Sequence, residues 1–184
     1  TVRALRWLSG IVALYSAFHV WLDFDAWSLP SLSSLPLPPG AVQVQRTGWS
    51  CGACACVNLL AAHGIAATER EMGELCHTLP IRGTTTPRFV RGLTLKLRKE
   101  GSTLRVRAEE GLKVGDLDAF PKPCLLGIRG SLLVGHATVL LGKTPDGLYR
   151  TADSLPIRGG KFMDVPADEF ARSFTGDAIA VVPP

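Results

Sequence analysis

The sequence predicts an α+β fold in which helices come first and pack on an antiparallel sheet that follows. Between Cys51 and about residue 100 the chain carries helix caps and ends in apolar residues at helical spacing, whereas beyond residue 103 it consists of short runs that are either apolar or alternate with charged residues. Hydrophobic residues make up 46% of the chain and charged residues 20%, a balance typical of a globular domain that buries its own core. The first thirty residues are different, because they contain a long uncharged run.

Three helices are predicted in the first half of the domain. Gly64 ends the first, Thr68-Glu-Arg-Glu71 is a capping box that begins the second, and Thr86-Pro87 provides a cap and a first-turn proline for the third. The expected spans are Cys51 to about His63, Thr68 to about Thr78, and Thr86 to Gly101.

Five strands are predicted after the helices, each a short apolar or alternating run. The turn Pro145-Asp146-Gly147 joins the third and fourth strands into a hairpin. Pro166–Phe174 suits a short helix, and Leu117–Phe120 forms a short helix at most. The expected strands are Leu104–Ala108, Cys124–Ile128, His136–Leu141, Leu148–Ala152 and Ala178–Val182.

The start of the first predicted helix carries a candidate nucleophile. Cys51 opens an Ala- and Leu-rich run, and the positive end of the helix dipole favours its thiolate form. Gln45, six positions earlier, provides a side-chain amide that can donate a hydrogen bond to an oxyanion formed at that sulfur. Two alternatives stand: Cys51 is a structural thiol packed at a helix start, and Gln43 offers a competing register for the amide.

A histidine and an acid on the predicted hairpin complete the pattern of an activated thiol. His136 follows Gly135 at the start of one strand, and Asp153 ends the next, seventeen positions later. Across a hairpin the two side chains can face one another, so that the acid orients the imidazole and the imidazole acts as base. The alternatives are a core histidine bonded to a carbonyl and an aspartate that closes a turn.

In order along the chain, these motifs resemble the C39 family of papain-like cysteine peptidases, whose best-known members cut leader peptides after a double glycine in bacteriocin export. The resemblance covers about residues 42–182 and implies the papain-like fold, a peptide or protein substrate, and no cofactor or metal. It gives Cys51 the role of nucleophile, His136 that of base, Asp153 that of its orienter and Gln45 that of oxyanion donor. The family-like segments are Gln45–Ala53, Gly83–Thr86, Phe120–Pro123, His136–Leu140 and Phe170–Ile179.

Two departures from the family pattern stand beside the candidate residues. The family usually has Asp-Pro at the acid, whereas this chain has Asp153-Ser154-Leu155-Pro156. The family usually has a proline or a similar small residue after Cys-Gly, whereas Cys51-Gly-Ala-Cys-Ala-Cys56 places two further thiols in the same helix. Neither departure removes a catalytic group.

The chain contains five cysteines, and their spacing matches no zinc motif. With Cys51 assigned to chemistry, four remain. They are expected either to form up to two disulfides in an oxidising compartment or to be buried small hydrophobic residues. The four are Cys54, Cys56, Cys76 and Cys124.

The first part of the chain predicts a membrane anchor. Trp7–Leu22 is an uncharged run with Arg3 and Arg6 before it and acidic residues after it. The alternatives are a cleaved signal peptide and a soluble core helix. The expected organisation is a transmembrane anchor over residues 1–27, a Pro-, Ser- and Leu-rich extended linker over residues 28–41 and a C39-like domain over residues 42–184.

The arginines before the run orient the anchor with its N-terminus in the cytoplasm, so we expect a single-pass protein of the bacterial cytoplasmic membrane with an extracytoplasmic domain. That orientation argues against leader processing, because the peptidase domain of the bacteriocin exporters is cytoplasmic. The expected function is a membrane-anchored thiol hydrolase that cleaves peptide bonds. The alternative is a non-catalytic accessory subunit of a bacterial membrane complex, held by other transmembrane subunits and using a peptidase-like fold for docking.

The charge distribution does not favour nucleic acid as a partner. The net charge is +4, and the basic residues of the middle of the chain are scattered at helical or strand spacing. This pattern indicates a solvated face rather than a phosphate-binding patch. These residues are Arg88, Arg91, Lys96, Arg98, Lys99, Arg105 and Arg107.

Overall fold

The computed structural model describes residues 11–16, 32–80, 82–130, 135–156 and 160–184, and from residue 32 onward three helices precede a six-stranded sheet. The helices are α1 (Cys51–Ala61), α2 (Glu69–Leu75) and α3 (Thr86–Lys99). The strands are β1 (Arg105–Glu109), β2 (Cys124–Arg129), β3 (Gly135–Lys143), β4 (Tyr149–Asp153), β5 (Lys161–Val165) and β6 (Phe174–Val182). A 3₁₀ helix (Val114–Asp118) precedes β2, and α4 (Ala167–Ser173) precedes β6. The predicted order of helices followed by an antiparallel sheet is confirmed.

The sheet separates two hydrophobic cores. Its strands lie in the order β1-β6-β2-β3-β4-β5, and every neighbouring pair is antiparallel. Because side chains alternate along a strand, Leu125 and Ile179 face α1, α2 and α3, whereas Leu126 and Ala178 face the opposite side. There they pack with Phe170 of α4 and with the 3₁₀ helix.

Helix α1 is the central helix of the domain. Its nine consecutive residues Gly52–Leu60 are all buried, because α1 packs on both the sheet and α2. A helix that is apolar on all sides is typical of the interior of a protein. Its first residue, Cys51, is partly exposed, so the packing of α1 fixes the position of that thiol at the edge of the core.

Two helices end earlier than predicted. Helix α1 ends at Ala61 rather than near His63, although the chain still turns at Gly64, which has φ 71°. Helix α2 ends at Leu75 rather than Thr78, because His77 adopts a left-handed conformation with φ 48° and breaks the ladder. The predicted cap of α2 is present, since the Thr68 hydroxyl accepts a hydrogen bond from the Glu71 N–H at 3.1 Å.

The sequence prediction missed strand β5 and shortened β6. Strand β5 pairs with β4 at the sheet edge, where its residues are mostly exposed or half-buried, so it lacks the apolar pattern of a core strand. Strand β6 begins at Phe174 rather than Ala178 and is bulged against β2, with Gly176 buried in its first half. The extra residues of β6 bring Thr175 and Asp177 into the sheet.

The linker predicted as an extended tether lies on the domain from residue 32 onward. Leu32 is buried, and the fully buried carboxylate of Glu69 accepts hydrogen bonds from the backbone N–H groups of Ser33 and Arg46, each at 2.9 Å. Ser33 also accepts a backbone hydrogen bond from Arg70. A buried carboxylate is stabilised by such donors, and here they fix two distant segments to the start of α2.

Lys96 departs from the prediction of a solvated basic face. Its side chain is buried and forms ion pairs with Glu71 at 2.9 Å and Glu100 at 2.7 Å. Lys99 pairs with the same carboxylate of Glu71 at 2.8 Å. A buried ammonium needs such partners, so this residue links α3 to α2 rather than facing solvent.

All five cysteines are free thiols in the structure. The four outside the candidate site are fully buried, which corresponds to the second of the two alternatives, that of small hydrophobic residues. The sulfur atoms of Cys56 and Cys76 lie 3.8 Å apart, at the contact between α1 and α2.

Most of the predicted anchor lies outside the described residues. Of Trp7–Leu22 the structure describes residues 11–16, which are helical with exposed side chains. Among the described parts of the chain, no helix combines the length and the apolar character that a membrane crossing requires. The anchor therefore stays a prediction.

Candidate active site

The structure brings Cys51, His136 and Asp153 together where α1 meets the β3–β4 hairpin. His136 is the second residue of β3 and Asp153 the last of β4, and these strands are neighbours. The distance between His136 Nε2 and Asp153 Oδ1 is 3.0 Å. Because Nε2 faces the acid, the other ring nitrogen is left for the hydrogen bond with the Cys51 thiol.

Asp153 is held from two directions. Its Oδ1 atom also accepts a hydrogen bond from the backbone N–H of Leu155 at 2.9 Å. The side chain is almost completely buried, and the following residue, Ser154, is buried as well. Asp153 therefore closes a turn, as one alternative proposed, and also binds the imidazole, because the same oxygen contacts both Leu155 N–H and His136 Nε2.

Burial and hydrogen bonding shift the pKa of the His136 imidazole in opposite directions. Burial alone would lower the pKa of His136, but its hydrogen bond to Asp153 and its hydrogen bond with Cys51 raise that pKa from 6.5 to about 9. Asp153 is therefore the main partner that keeps the ring protonated at neutral pH.

The thiol shows the complementary effect. Burial would raise the pKa of Cys51, but the hydrogen bond and charge of His136, together with backbone hydrogen bonds from Ala137 and Gly52, lower it below its ordinary value of 9.0. The pKa of the thiol is thus lowered and that of the imidazole raised, and each group contributes to the shift of the other. Both shifts favour the pair of thiolate and imidazolium, the reactive form of a cysteine nucleophile.

Gln45 lies beside the acid rather than on the wall of the cleft. It is buried, its backbone N–H donates to Ser154 O at 3.0 Å, and its Oε1 accepts from the Ser154 hydroxyl at 3.1 Å. Its Nε2 donates one hydrogen to Thr47 O at 2.8 Å, and a primary amide has a second hydrogen to give. Gln43 is turned to α1, where its backbone N–H donates to Asn58 Oδ1 at 2.8 Å.

A cleft of about 510 Å³ opens beside the thiol and imidazole. One wall comes from the loop before α1 and from the start of α3, and the floor comes from β2, β3 and β6. The segment Gly83–Thr86, which the sequence resemblance singled out, lies on the helical wall. Its main lining residues are Trp49, Cys51, Thr84, Phe89, Leu125, Gly127, His136, Asp177 and Ile179.

Gly52 allows the helical wall of the cleft to pack against the start of α1. A Cβ atom at this position would lie 2.6 Å from Phe89 Cε1 and 2.9 Å from Thr84 Oγ1, closer than carbon atoms tolerate. The helical wall therefore packs directly against the backbone that follows Cys51.

Sequence reasoning did not assign Ser154 or Asp177. Ser154 stands where the resemblance leads one to expect proline, and the structure shows that its hydroxyl holds Gln45. Asp177 lies in a segment that was noted only as a family-like ending, and no local pattern marks it as part of a cleft.

In the described ranges, no three His, Cys, Asp or Glu side chains are grouped to hold a metal ion.

Two solved structures with a similar fold are a peptidase domain and a protease that come from transporters. The peptidase domain of Streptococcus ComA, a bi-functional ABC transporter involved in a quorum-sensing pathway, matches with a TM-score of 0.63 and 18% identity over 78% of this chain and 98% of that chain. A double glycine motif protease from an AMS/PCAT transporter, crystallised with the leader peptide, matches with a TM-score of 0.61 and 19% identity over 81% of this chain and 98% of that chain.

A more distant likeness is the N-terminal peptidase C39 like domain of a toxin secretion ATP-binding protein from Vibrio parahaemolyticus, with a TM-score of 0.52 and 13% identity over 75% of this chain and 98% of that chain. No family model matches the sequence, and neither does any curated protein. At these identities the likeness is one of fold. It confirms the prediction of a C39-like, papain-type α+β domain.

Proposed function

From this fold and site we propose that the chain is a cysteine peptidase in which Cys51 is the nucleophile. The observation that carries the proposal is the placement of Cys51 and His136 together at the wall of an open cleft, with the buried Asp153 carboxylate 3.0 Å from the imidazole. A buried structural thiol has no need of an imidazolium partner, whereas a nucleophile depends on one. The buried hydrogen bond from His136 to Asp153 keeps that partner charged.

The proposed reaction follows from the positions of these groups. The Cys51 thiolate attacks the carbonyl carbon of the scissile peptide bond, and the carbonyl π electrons move to oxygen. The His136 imidazolium then gives its proton to the leaving amine, the C–N bond breaks and an acyl thioester remains. Neutral His136 next takes a proton from water, the resulting hydroxide attacks the thioester, and the thiolate leaves. Asp153 holds the ring in one orientation through both half-reactions.

The oxyanion of the tetrahedral intermediates is proposed to accept hydrogen bonds from two donors. One is the backbone N–H of Cys51, which as the first residue of α1 belongs to the turn whose N–H groups have no partner within the helix. The other is the second amide hydrogen of Gln45, whose orientation Thr47 O and the Ser154 hydroxyl fix. Such prearranged donors stabilise developing charge without having to reorganise during the reaction.

A peptide is the proposed substrate class. The cleft is open and lies beside the sulfur, with aromatic side chains on one wall and sheet residues on its floor, which suits an extended chain. The double glycine motif protease with the same fold was crystallised with a leader peptide, which supports a peptide in the equivalent groove.

The membrane location is a second part of the proposal. The uncharged run Trp7–Leu22, with Arg3 and Arg6 before it, supports an anchor that places the catalytic domain outside the cytoplasmic membrane. A membrane-impermeant thiol reagent applied to spheroplasts is expected to modify Cys51 and to spare a cytoplasmic marker protein. Modification only after lysis, or recovery of the full chain in the soluble fraction, contradicts this part alone.

An electrophilic active-site probe tests the catalytic proposal. An epoxysuccinyl peptide is expected to label the wild-type chain once, at Cys51, and not to label Cys51→Ala. Cys54→Ala is the matched control, because it removes a thiol from the same helix and is expected to keep the label. Label that persists in Cys51→Ala contradicts the assignment. Stoichiometric co-purification with other membrane proteins, together with no labelling of the wild type, favours the docking subunit instead.

A further inference from the structure

Asp177 places a carboxylate on the floor of the candidate active-site cleft. It lies on β6 two residues before Ile179 and two after Thr175, so the three side chains share the face that lines the cleft. Gly127 of the neighbouring strand β2 has no side chain, and the side chains of Thr175 and Asp177 occupy that space. A Cβ atom there would lie 2.5 Å from Thr175 Oγ1 and 3.5 Å from Asp177 Oδ2.

This carboxylate lacks a cationic partner in the described part of the chain. Burial, and then the negative charge of the exposed Glu110, raise the pKa of Asp177 above its ordinary value of 3.8, and no cation opposes them. Arg82 lines the same cleft but does not lower that pKa. Among the residues described, no Lys or Arg forms an ion pair with Asp177.

A half-buried acid in a substrate cleft has a chemical consequence. Partial removal from water destabilises the charged carboxylate, and a second negative charge nearby adds to that cost. A cationic group that enters the cleft stabilises the charged carboxylate through a charge-assisted hydrogen bond and so offsets both of these costs. The neighbouring Thr175 hydroxyl provides an additional acceptor for an ammonium or guanidinium donor.

We infer that Asp177, with Thr175, forms a specificity site that binds a lysine or arginine side chain of the peptide substrate. The inference rests on the proposed peptidase function, because it assigns a substrate preference to the same cleft. The preferred substrates are therefore peptides with a basic residue a short distance from the scissile bond. Asp177 acts on which peptides bind, whereas Cys51 and His136 act on the bond itself.

Cleavage of a complex peptide mixture tests the inference without knowledge of the natural substrate. The mixture is a proteome digested with a glutamate-specific protease, which leaves lysine and arginine intact. With the wild-type chain we expect basic residues to be enriched at one fixed position relative to the new termini. That enrichment is expected to disappear with Asp177→Asn and to be retained with Asp177→Glu, which keeps the charge.

Asp146→Asn is the matched control, because it removes an exposed carboxylate from the β3–β4 turn, outside the cleft. Synthetic peptides with lysine or norleucine at the enriched position then give the magnitude. We expect the wild-type ratio of kcat/KM for the two peptides to be about tenfold or more, as for a hydrogen bond between charged groups, and to be near one in Asp177→Asn. A ratio that is equal in the wild type and Asp177→Asn overturns the inference.

Binding separates this inference from the proposed function. Fluorescein-labelled pools of Ala- and Gly-rich peptides, with either lysine or norleucine, are titrated into Cys51→Ala by anisotropy. One possible result is that the wild type cleaves no peptide, whereas Cys51→Ala binds the lysine pool more tightly than the norleucine pool and Asp177→Asn removes that difference. In that case the peptidase proposal fails and the specificity site stands. Equal binding of the two pools overturns the specificity site, whatever the wild type cleaves.

Discussion

Replacement of Asp153 by asparagine isolates the charge that supports the imidazolium. Asparagine keeps a carbonyl oxygen that can accept from both the Leu155 N–H and the His136 ring, so the local turn and the ring orientation are retained. What is lost is the negative charge, 3.0 Å from His136 Nε2 and with both side chains buried. The imidazolium is then less stable, and so is the thiolate of Cys51 beside it.

The size of the effect follows from that hydrogen bond. A bond to a charged group contributes about 1.5–3 kcal/mol and a neutral one about 1 kcal/mol, a difference that amounts to roughly one pKa unit. The pKa of His136, which is about 9 in the wild type, is thus expected to fall. The pKa of Cys51, which burial raises and His136 lowers, is expected to move up.

The assay needs no substrate. The rate at which iodoacetamide alkylates Cys51 is measured against pH by mass spectrometry, and its midpoint reports the formation of thiolate. We expect the midpoint to rise by about one pH unit in Asp153→Asn, in line with the loss of one charged hydrogen bond. Asp146→Asn, on an exposed turn, is the control and is expected to keep the wild-type midpoint. An unchanged midpoint in folded Asp153→Asn refutes the reasoning.

Three further predictions concern other parts of the molecule. Gln45→Ala is expected to lower kcat by about 10²–10³ without moving the Cys51 alkylation midpoint, whereas Gln43→Ala leaves kcat near wild type; equal losses contradict the oxyanion role. Gly92→Ala is expected to destabilise the fold by about 1–3 kcal/mol, seen as a lower Tm, because a Cβ atom there overlaps Cys76 Sγ and lies 2.9 Å from Cys76 N. Brief alkylation of the native chain is expected to modify Cys51 alone, since the other thiols are fully buried; modification of a second cysteine before unfolding contradicts that burial.

The parts of the site that the sequence predicted have local signals. Cys51 opens an apolar helix, and Asp153 ends a strand whose hairpin turn is marked by Pro145-Asp146-Gly147. Once the hairpin was placed, the spacing between His136 and Asp153 allowed them to face one another, and the structure has them in hydrogen-bond contact. The contact of His136 with Cys51, across the interface of α1 and the sheet, came from the family resemblance rather than from any spacing.

The features that the sequence did not reveal depend on tertiary packing. Strand β5 forms because β4 offers it an edge, and its own residues carry no core pattern. Glu69 looked like an ordinary first-turn acid of a capping box, and its role in holding Ser33 and Arg46 becomes apparent only when three segments meet. Asp177 enters the cleft because β6 starts four residues earlier than predicted.

The most direct test of the central claim, that the Cys51 sulfur is a working peptidase nucleophile, is digestion of a peptide mixture by the full chain and by Cys51→Ala. New peptide termini are counted by mass spectrometry, and thermal melting verifies that both proteins are folded. We predict new termini with the wild type and none with Cys51→Ala. Identical peptide patterns from the two proteins, with or without cleavage, contradict the account.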